Sequence, residues 1–296
     1  MSLTTIYVTR HGFRSTWSVD HKRGIYSSSI RSPTGIPNDP ALTSYGVQQS
    51  IELGEHLKTV DPSIEAIYSS PYYRCLQTID PFAEHLGTTK GDPDVPLIRP
   101  EQGLGEFFGL ADFHHPTPAS TETLKKHFKR LAPRESFIIP TSKGESIEQL
   151  HDRVAYAMAK IIEYSEKEGV KAVVISTHAA AVIAIGRVLT GLMPEDITEK
   201  DFHPFTCGLT TFVRRSKEGM KTPVPDLKHP YEKIPSLDWR NGKGVGGGWD
   251  CTGNGDCSFL SGGAERGWSF NGDESFLPDE EVDEDVGLGV GTKSVL

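Results

Sequence analysis

The sequence predicts an α/β protein: a three-layer αβα sandwich around a mostly parallel central sheet, followed by a glycine-rich C-terminal extension. Three observations support this prediction. Short β-branched runs alternate with amphipathic helical stretches as far as residue 215. The run 170–177 is almost continuously apolar, as a strand covered on both faces requires. The 296 residues can bury a core without disulfide bonds, and none of the four cysteines belongs to a C-x-x-C pair.

The first half of the chain carries clear element boundaries. Ile6–Thr9 is predicted as a buried strand that runs into an Arg-His-Gly turn. Thr43 is a typical N-cap and is predicted to open the first helix. Residues 64–70 form the second predicted strand. The next helix is predicted to begin at Pro71 and to be kinked or broken at Pro81.

The second half continues the alternation. Ser146 and Gln149 predict a capping box for a long helix through Glu168. The strand over 170–177 leads into an alanine-rich helix. Residues 209–215 are predicted as the final strand of the sheet.

Two stretches interrupt this rhythm. Residues 18–40 are predicted as a long polar loop, and residues 110–140 as an insertion with a basic helix over one end of the sheet. Long insertions are usually lids or binding loops, although a plain surface excursion also explains either one. We divide the chain into a body over 1–236, an extension over 237–277 and a tail over 278–296.

The charge is concentrated at the C-terminal end. Residues 237–296 hold 12 acidic and 4 basic residues, a net charge of −8, out of −9 for the whole chain. Because neither part has a basic face, we expect no direct binding to nucleic acid. The N-terminal residues lack a secretory pattern, and no stretch has the ~20 apolar residues that a membrane helix needs. We therefore expect a soluble protein of the cytoplasm, the nucleus or both, without a membrane partner.

Arginine and histidine side chains follow three of the predicted strands. Arg10, His11 and Arg14 come after the first strand, Arg74 after the second and His178 after the third. The carboxyl ends of such strands are where ligands bind in open α/β sheets. Guanidinium groups form bidentate hydrogen bonds with phosphate, and a neutral imidazole can attack phosphorus. Singly, each residue has a plainer explanation as a structural histidine or a surface arginine, but their shared position predicts a phosphoryl site.

Five motifs in this order resemble the histidine phosphatase superfamily, the phosphoglycerate mutase-like clan. They are RHG (10–12), D-P-A-L-T-x-x-G-x-Q-Q (39–49), SSPYYRCLQT (69–78), the glutamate of GLGEFFG (103–109) and STHAAAV (176–182). The resemblance covers about residues 1–215. It implies an α/β sandwich and a phosphomonoester hydrolase.

The resemblance implies a role for each matching residue. His11 would be the nucleophile that becomes transiently phosphorylated. The residues that would hold the phosphoryl oxygens are Arg10, Arg14, Arg74 and His178. Glu106 would protonate the leaving oxygen and later activate water, which requires a raised pKa. No metal or other cofactor is implied, and His114 and His115 lack a carboxylate partner at ligand spacing.

Two departures from the family pattern bear on the activity. RHG is followed by Phe13 and Arg14 rather than Glu-Thr, which resembles the phosphatase branches and disfavours a mutase. His178 is followed by alanines and not by the aspartate that acid phosphatases carry there. The acid must then come from elsewhere, with Glu106 as the first candidate and Asp112 as the second.

A narrower resemblance implies an alternative function. RHGFRS (10–15) and GDCSFLSGG (255–263) resemble a fungal group that includes the histidine phosphatase-like tau subunit of the RNA polymerase III transcription factor C. This likeness implies an assembly subunit with little or no catalysis. The first interpretation requires a phosphorylated substrate, and the second a protein partner bound through 237–296.

The extension contains a repeat. NGDCSF at 254–259 recurs as NGDESF at 271–276, and Gly-Trp precedes each copy at 248–249 and 267–268. Asn-Gly is a strong turn signal, so we predict two short hairpins whose aromatic side chains pack on the body or on a partner. The spacing does not fit a calcium-binding loop. Beyond Pro278 we expect disorder.

Overall fold

A computed structural model of the protein describes residues 3–89, 91, 97–216, 224–229, 233–272 and 275. The strands are β1 (Thr5–Arg10), β2 (Trp17–Asp20), β3 (Ile25–Ser28), β4 (Ala66–Ser69), β5 (Ile98–Pro100), β6 (Ala172–Thr177), β7 (Leu209–Arg214) and β8 (Trp249–Asp256). The α-helices are α1 (Ser44–Leu57), α2 (Tyr73–Thr89), α3 (Thr121–Lys125), α4 (Ile147–Lys167) and α5 (Ala179–Thr190). Short 3-10 helices cover Gln102–Leu104 and Val245–Gly247.

The central sheet has the strand order β5-β4-β6-β1-β7-β8. β1 pairs in parallel with β6 from Thr5↔Ala172 to Arg10↔Thr177, and β4 and β5 run in the same direction. β7 is antiparallel to both of its neighbours, β1 and β8, so β8 again runs in the direction of β1. Helices cover both faces, so the predicted mostly parallel sandwich is confirmed. Since parallel strands end at one edge, Arg10, Ser69 and Thr177 lie side by side there.

The capping signals of the sequence are found in the structure. The Thr43 side chain accepts a hydrogen bond from the Gly46 N–H at the start of α1. Ser146 and Gln149 form both hydrogen bonds of a capping box at the start of α4. These local signals need no distant partner, which is why the sequence alone reveals them.

Helix α2 begins at Tyr73 and continues past Pro81, so the predicted break is not observed. Phe82 and the side chains around it are buried. Gly54 of α1 permits this packing, because a Cβ at that position would lie 3.1 Å from the Pro81 Cβ. The burial of apolar surface outweighs the hydrogen bond that proline cannot donate.

The two insertions differ from their predictions in opposite ways. The first contains a hairpin that was not predicted, and the helix in the second is shorter than predicted. The predicted loop over 18–40 is wrong in part, because β2 and β3 form a hairpin there, and Gly24 adopts a φ of 65° in its turn. In 110–140 the predicted basic helix is only the five-residue α3. Phe128, three residues beyond the end of this helix, is buried in the core beside α2.

The strand β8 corrects two predictions about the C-terminal half. β7 is not the last strand, because β8 pairs with it from Leu209↔Asp256 to Arg214↔Trp249. The Asn-Gly pair at 254–255 lies within β8, beside a shift in register, and Gly255 has a φ of 65°. A bulge therefore replaces the predicted hairpin turn. The sheet thus extends across the 236/237 boundary that we drew between body and extension.

Aromatic side chains of the extension are part of the core. Trp249 and Phe270 are buried against α4 and α5, and the Phe259 ring stacks on His56 at a centroid distance of 4.1 Å. Residues 273, 274 and 276 of the second repeat and all of 278–296 lie outside the described residues. No helix in the described ranges is long and apolar enough to cross a membrane.

Candidate active site

His11 follows β1 directly and is buried at the carboxyl edge of the sheet. Its Nδ1 lies 2.8 Å from the carbonyl oxygen of Gly12. Because a carbonyl only accepts hydrogen bonds, Nδ1 carries the proton and Nε2 keeps a free lone pair. Burial and the nearby Arg74 and Arg10 hold the pKa of His11 well below its usual value. A neutral imidazole with an available Nε2 is the form that a nucleophile needs.

Arg74 reaches the site from the first turn of α2 and is fully buried. Its Nη1 donates to the carbonyl oxygen of Asn38 at 2.9 Å and to Asp39 Oδ1 at 3.2 Å. The other oxygen of Asp39 accepts the Tyr73 N–H at 2.9 Å. Asp39 therefore links the start of α2 to the guanidinium and fixes its orientation.

Arg10 and Arg14 complete the cluster of guanidinium groups predicted from the sequence. Arg10 Nη1 donates to the carbonyl oxygens of Pro204 and Arg266, and Arg14 donates to the carbonyl oxygen of Ser15. Burial lowers the pKa of Arg14 to about 9 and that of Arg10 to about 10. The Nε atoms of Arg10 and Arg74 are buried without a hydrogen-bond partner among the described residues. These two donors are available to an anion.

His178 lies at the start of α5, with its ring centroid 5.4 Å from that of His11. Its Nε2 is 2.8 Å from Ser70 Oγ, and its Nδ1 is 3.2 Å from Glu106 Oε2. A carboxylate accepts, so Nδ1 carries the proton and Nε2 accepts from the serine hydroxyl. Burial lowers the pKa of His178 to about 4, although Glu106 opposes this shift.

Glu106 lies between the cations, and its charge state differs from our expectation. Its Oε2 accepts from Arg74 Nη2 at 2.8 Å as well as from His178. Burial by itself would raise the pKa of Glu106, but His178 and Arg74 together hold it well below its usual value. The expected raised pKa is therefore wrong for this geometry. The lowered pKa favours the ionised carboxylate, which accepts from two of the donors in the cluster.

The other acid and histidine candidates lie apart from this cluster. Asp112 is exposed, and its main-chain carbonyl accepts from Lys143. His114 is exposed beside Ser142. His115 is buried and bonds to the Tyr26 hydroxyl at 2.6 Å. The structure thus brings together Glu106 and not Asp112 with the predicted nucleophile.

A metal ion is a poor fit to the same groups. Potential ligand atoms of His11, Glu106 and His178 lie within 4.8 Å of one another. However, the cluster also contains the guanidinium groups of Arg10, Arg14 and Arg74. Their charges repel a divalent cation and favour an anion. The prediction that no metal is needed stays a prediction.

Several supporting residues were not singled out from the sequence. Asp39 orients Arg74, and Ser70 orients His178. Gly12 N–H donates to Thr78, and Phe13 N–H donates to Gln49. Asp39, Ser70, Thr78 and Gln49 all lie in the two quoted segments, 39–49 and 69–78. Their polar side chains at the ends of strands and the starts of helices were the available signal.

Comparison with known proteins identifies the family of this chain. A family model described as "Histidine phosphatase superfamily (branch 1)" matches residues 6–221. The chain belongs to the histidine phosphatase superfamily. The 55 kDa subunit of transcription factor tau from Saccharomyces cerevisiae is 32% identical over 92% of this chain and 59% of its own length. An ecdysteroid-phosphate phosphatase of Drosophila melanogaster is 27% identical over 70% of this chain and 28% of its own length.

The histidine phosphatase fold is also recognised among solved structures. The ecdysone phosphate phosphatase from Bombix mori, in complex with tungstate, superposes with a TM-score of 0.52. The match covers 80% of this chain and 98% of that protein at 22% identity. This likeness concerns the fold alone. The chain spans about three fifths of the yeast relative and a smaller part of the Drosophila one.

Proposed function

We propose that this chain is a phosphomonoester hydrolase that works through a phosphohistidine at His11 and without a metal ion. One observation carries the proposal. A buried, neutral histidine with a free Nε2 lies among three guanidinium groups, two of which keep an unpartnered buried donor. Such a cluster of fixed positive charge stabilises the charge that develops on a transferring phosphoryl group.

The first half of the reaction transfers the phosphoryl group to the enzyme. The phosphate of the substrate binds Arg10, Arg14 and Arg74 and displaces the Glu106 carboxylate from Arg74 and His178. His11 Nε2 attacks phosphorus as the bond to the leaving oxygen breaks. Glu106, once separated from Arg74 and close to a dianion, takes a proton from solvent and passes it to the leaving oxygen.

The second half returns the enzyme to its starting state. Water attacks the phosphohistidine, and its proton passes to the Glu106 carboxylate. The N–P bond breaks and inorganic phosphate leaves the neutral His11. Glu106 then returns its proton to solvent as it pairs with Arg74 again. His178 Nδ1 donates to a phosphoryl oxygen in both steps, and Ser70 keeps the ring in the required tautomer.

The test is the hydrolysis of p-nitrophenyl phosphate by the wild-type chain, His11→Ala and His114→Ala. We expect His11→Ala to lose activity by at least about a thousandfold, because the nucleophile is absent. The exposed His114 is the matched control and should leave the rate unchanged. An acid-labile phosphoenzyme should form in the wild type and not in His11→Ala. Equal rates for wild type and His11→Ala would contradict the proposal.

The yeast relative supports a second candidate function. It is named as a subunit of a transcription factor and is similar along 92% of this chain. An assembly role would have this chain bind a protein partner, and it would favour the nucleus over the cytoplasm. Tagged wild type and His11→Ala are then compared for the partners that co-purify. Identical partners together with no hydrolysis by the wild type would favour the assembly role.

A further inference from the structure

The segment after β8 contacts Arg10, an arginine of the predicted phosphate site. We call residues 257–270 the strap. Its first part lies against α1, where the Ser261 N–H and hydroxyl donate to Glu52 at 2.9 and 2.7 Å. Its last residue, Phe270, is buried with its ring centroid 6.0 Å from that of Phe107, the neighbour of Glu106. The strap is thus anchored at both ends.

Between these anchors the strap contacts Arg10. The Arg266 carbonyl oxygen accepts from Arg10 Nη1, which also donates to the Pro204 carbonyl at 2.9 Å. The strap residue before Arg266 is held by a hydrogen bond as well. Thr206 N–H donates to the Glu265 carbonyl oxygen at 3.2 Å.

The chemistry of Arg10 makes this contact consequential. Each buried N–H of a guanidinium group needs an acceptor, either from the protein or from a ligand. Arg10 Nη1 donates to two main-chain carbonyls, while its Nε has no hydrogen-bond partner among the described residues. The two acceptors thereby fix the direction in which the remaining donors point. One of the two belongs to the strap and not to the 6–221 segment that matches the family model.

We propose that the strap is a positioning element of the phosphate site, in which the Arg266 carbonyl orients the Arg10 guanidinium toward the phosphoryl oxygens. This inference rests on the proposed function, since it assigns phosphate to that site. It means that residues beyond 236 contribute to anion binding through the main chain. Arg266 has no direct contact with the reacting atoms in this scheme.

The test exploits the φ of 57° at Arg266. Proline has a φ near −65°, so Arg266→Pro displaces the carbonyl. Glycine adopts positive φ freely, so Arg266→Gly keeps the carbonyl and removes only the side chain. Calorimetry with inorganic phosphate should show about tenfold weaker binding for Arg266→Pro, the loss expected for one hydrogen bond to a charged group. Arg266→Gly should bind within about twofold of the wild type.

A double-mutant cycle separates positioning from general damage. In an Arg10→Ala background, Arg266→Pro should have little further effect on phosphate affinity, whereas additive losses would overturn the proposal. If Arg266→Pro does not fold, as judged by circular dichroism, Glu52→Ala replaces it. That variant removes both hydrogen bonds to Ser261, and unchanged phosphate affinity would overturn the proposal. A wild type that binds phosphate without hydrolysing p-nitrophenyl phosphate would refute the hydrolase alone and leave this inference testable.

Discussion

Replacing Glu106 with glutamine is expected to strengthen phosphate binding while it slows hydrolysis. The carboxylate accepts from Arg74 at 2.8 Å and from His178 at 3.2 Å, so an incoming phosphate must displace it. Glutamine has nearly the same shape and no charge. It therefore competes less for the donors and does not repel the dianion, but it has no acidic proton for the leaving group.

The expected magnitude follows from the position of this charge. Two unit charges 4 Å apart interact by about 4 kcal/mol at an effective dielectric constant of 20. The Glu106 side chain is 16% exposed and can turn toward solvent when phosphate arrives. We therefore expect a fraction of that energy, about 1.4 kcal/mol, which corresponds to roughly tenfold tighter binding.

The assay combines two measurements on Glu106→Gln and on the exposed control Glu135→Gln. Calorimetry at pH 7 gives the affinity for inorganic phosphate. Steady-state kinetics compares p-nitrophenyl phosphate with an alkyl phosphate, whose poor leaving group needs a proton. We expect a far larger loss of kcat on the alkyl phosphate. Weaker phosphate binding would refute the assigned position of the carboxylate, and equal losses on both substrates would assign proton transfer to another group such as Asp112.

Three further predictions concern the supports of the site and its stability. Asp39→Ala should destabilise the fold by about 3 kcal/mol and weaken phosphate binding, because the buried Arg74 loses one of its two carboxylate partners. Urea unfolding and calorimetry check this, with Asp112→Ala as the exposed control. A chain ending at residue 236 should be insoluble or unfolded, because it lacks β8 and the buried Trp249; a soluble chain with an unchanged Tm would contradict the assigned packing. The free energy of unfolding should fall as the pH drops from about 6.5 toward 4, because burial lowers the pKa of His178 to about 4. Each buried histidine of this kind should contribute a fall of ~1.4 kcal/mol per pH unit. Unfolded histidine binds protons in this range and the folded residue does not; urea titrations at pH 7 and 5 that gave equal stability would contradict this sign.

What the sequence could predict depended on how local the determinants are. Thr43 and Ser146 satisfy N–H groups within three residues of themselves, so the helix starts were predictable. The Asn-Gly pair at 254–255 is also a local signal, but pairing with β7 decides its conformation. That pairing joins residues about forty positions apart along the chain, which no local pattern reports.

For the site, likewise, the sequence predicts which residues take part but not the electrostatic environment that sets their charge. The motifs identify His11, Arg74 and Glu106, and the structure brings all three together. The pKa of Glu106 depends on two hydrogen-bond donors from other elements, the Arg74 guanidinium on α2 and the His178 ring before α5. Burial and these two donors shift the pKa in opposite directions. Only the three-dimensional distances decide which effect prevails, so the sign could not be predicted.

The charges of the site predict that Glu106 takes up a proton when an anion binds. The site contains three guanidinium groups and the Asp39 and Glu106 carboxylates, while His11 and His178 are neutral, which leaves one net positive charge. A dianion reverses that sign, and protonation of Glu106 restores neutrality. Sulfate is the suitable probe because it stays a dianion at pH 7. Calorimetry in buffers of different ionisation enthalpy should show the uptake of about one proton by the wild type and none by Glu106→Gln.

The same coupling fixes the pH dependence of binding. Since a proton enters with the anion, the affinity of the wild type for sulfate should rise as the pH falls from 8 to 6, by up to about tenfold per pH unit. Glu106→Gln should lose this slope and bind sulfate more tightly than the wild type at the upper end of the range. Binding without proton uptake would mean that Glu106 stays ionised beside the anion. It could not then donate to the leaving oxygen, and another acid would have to start the reaction.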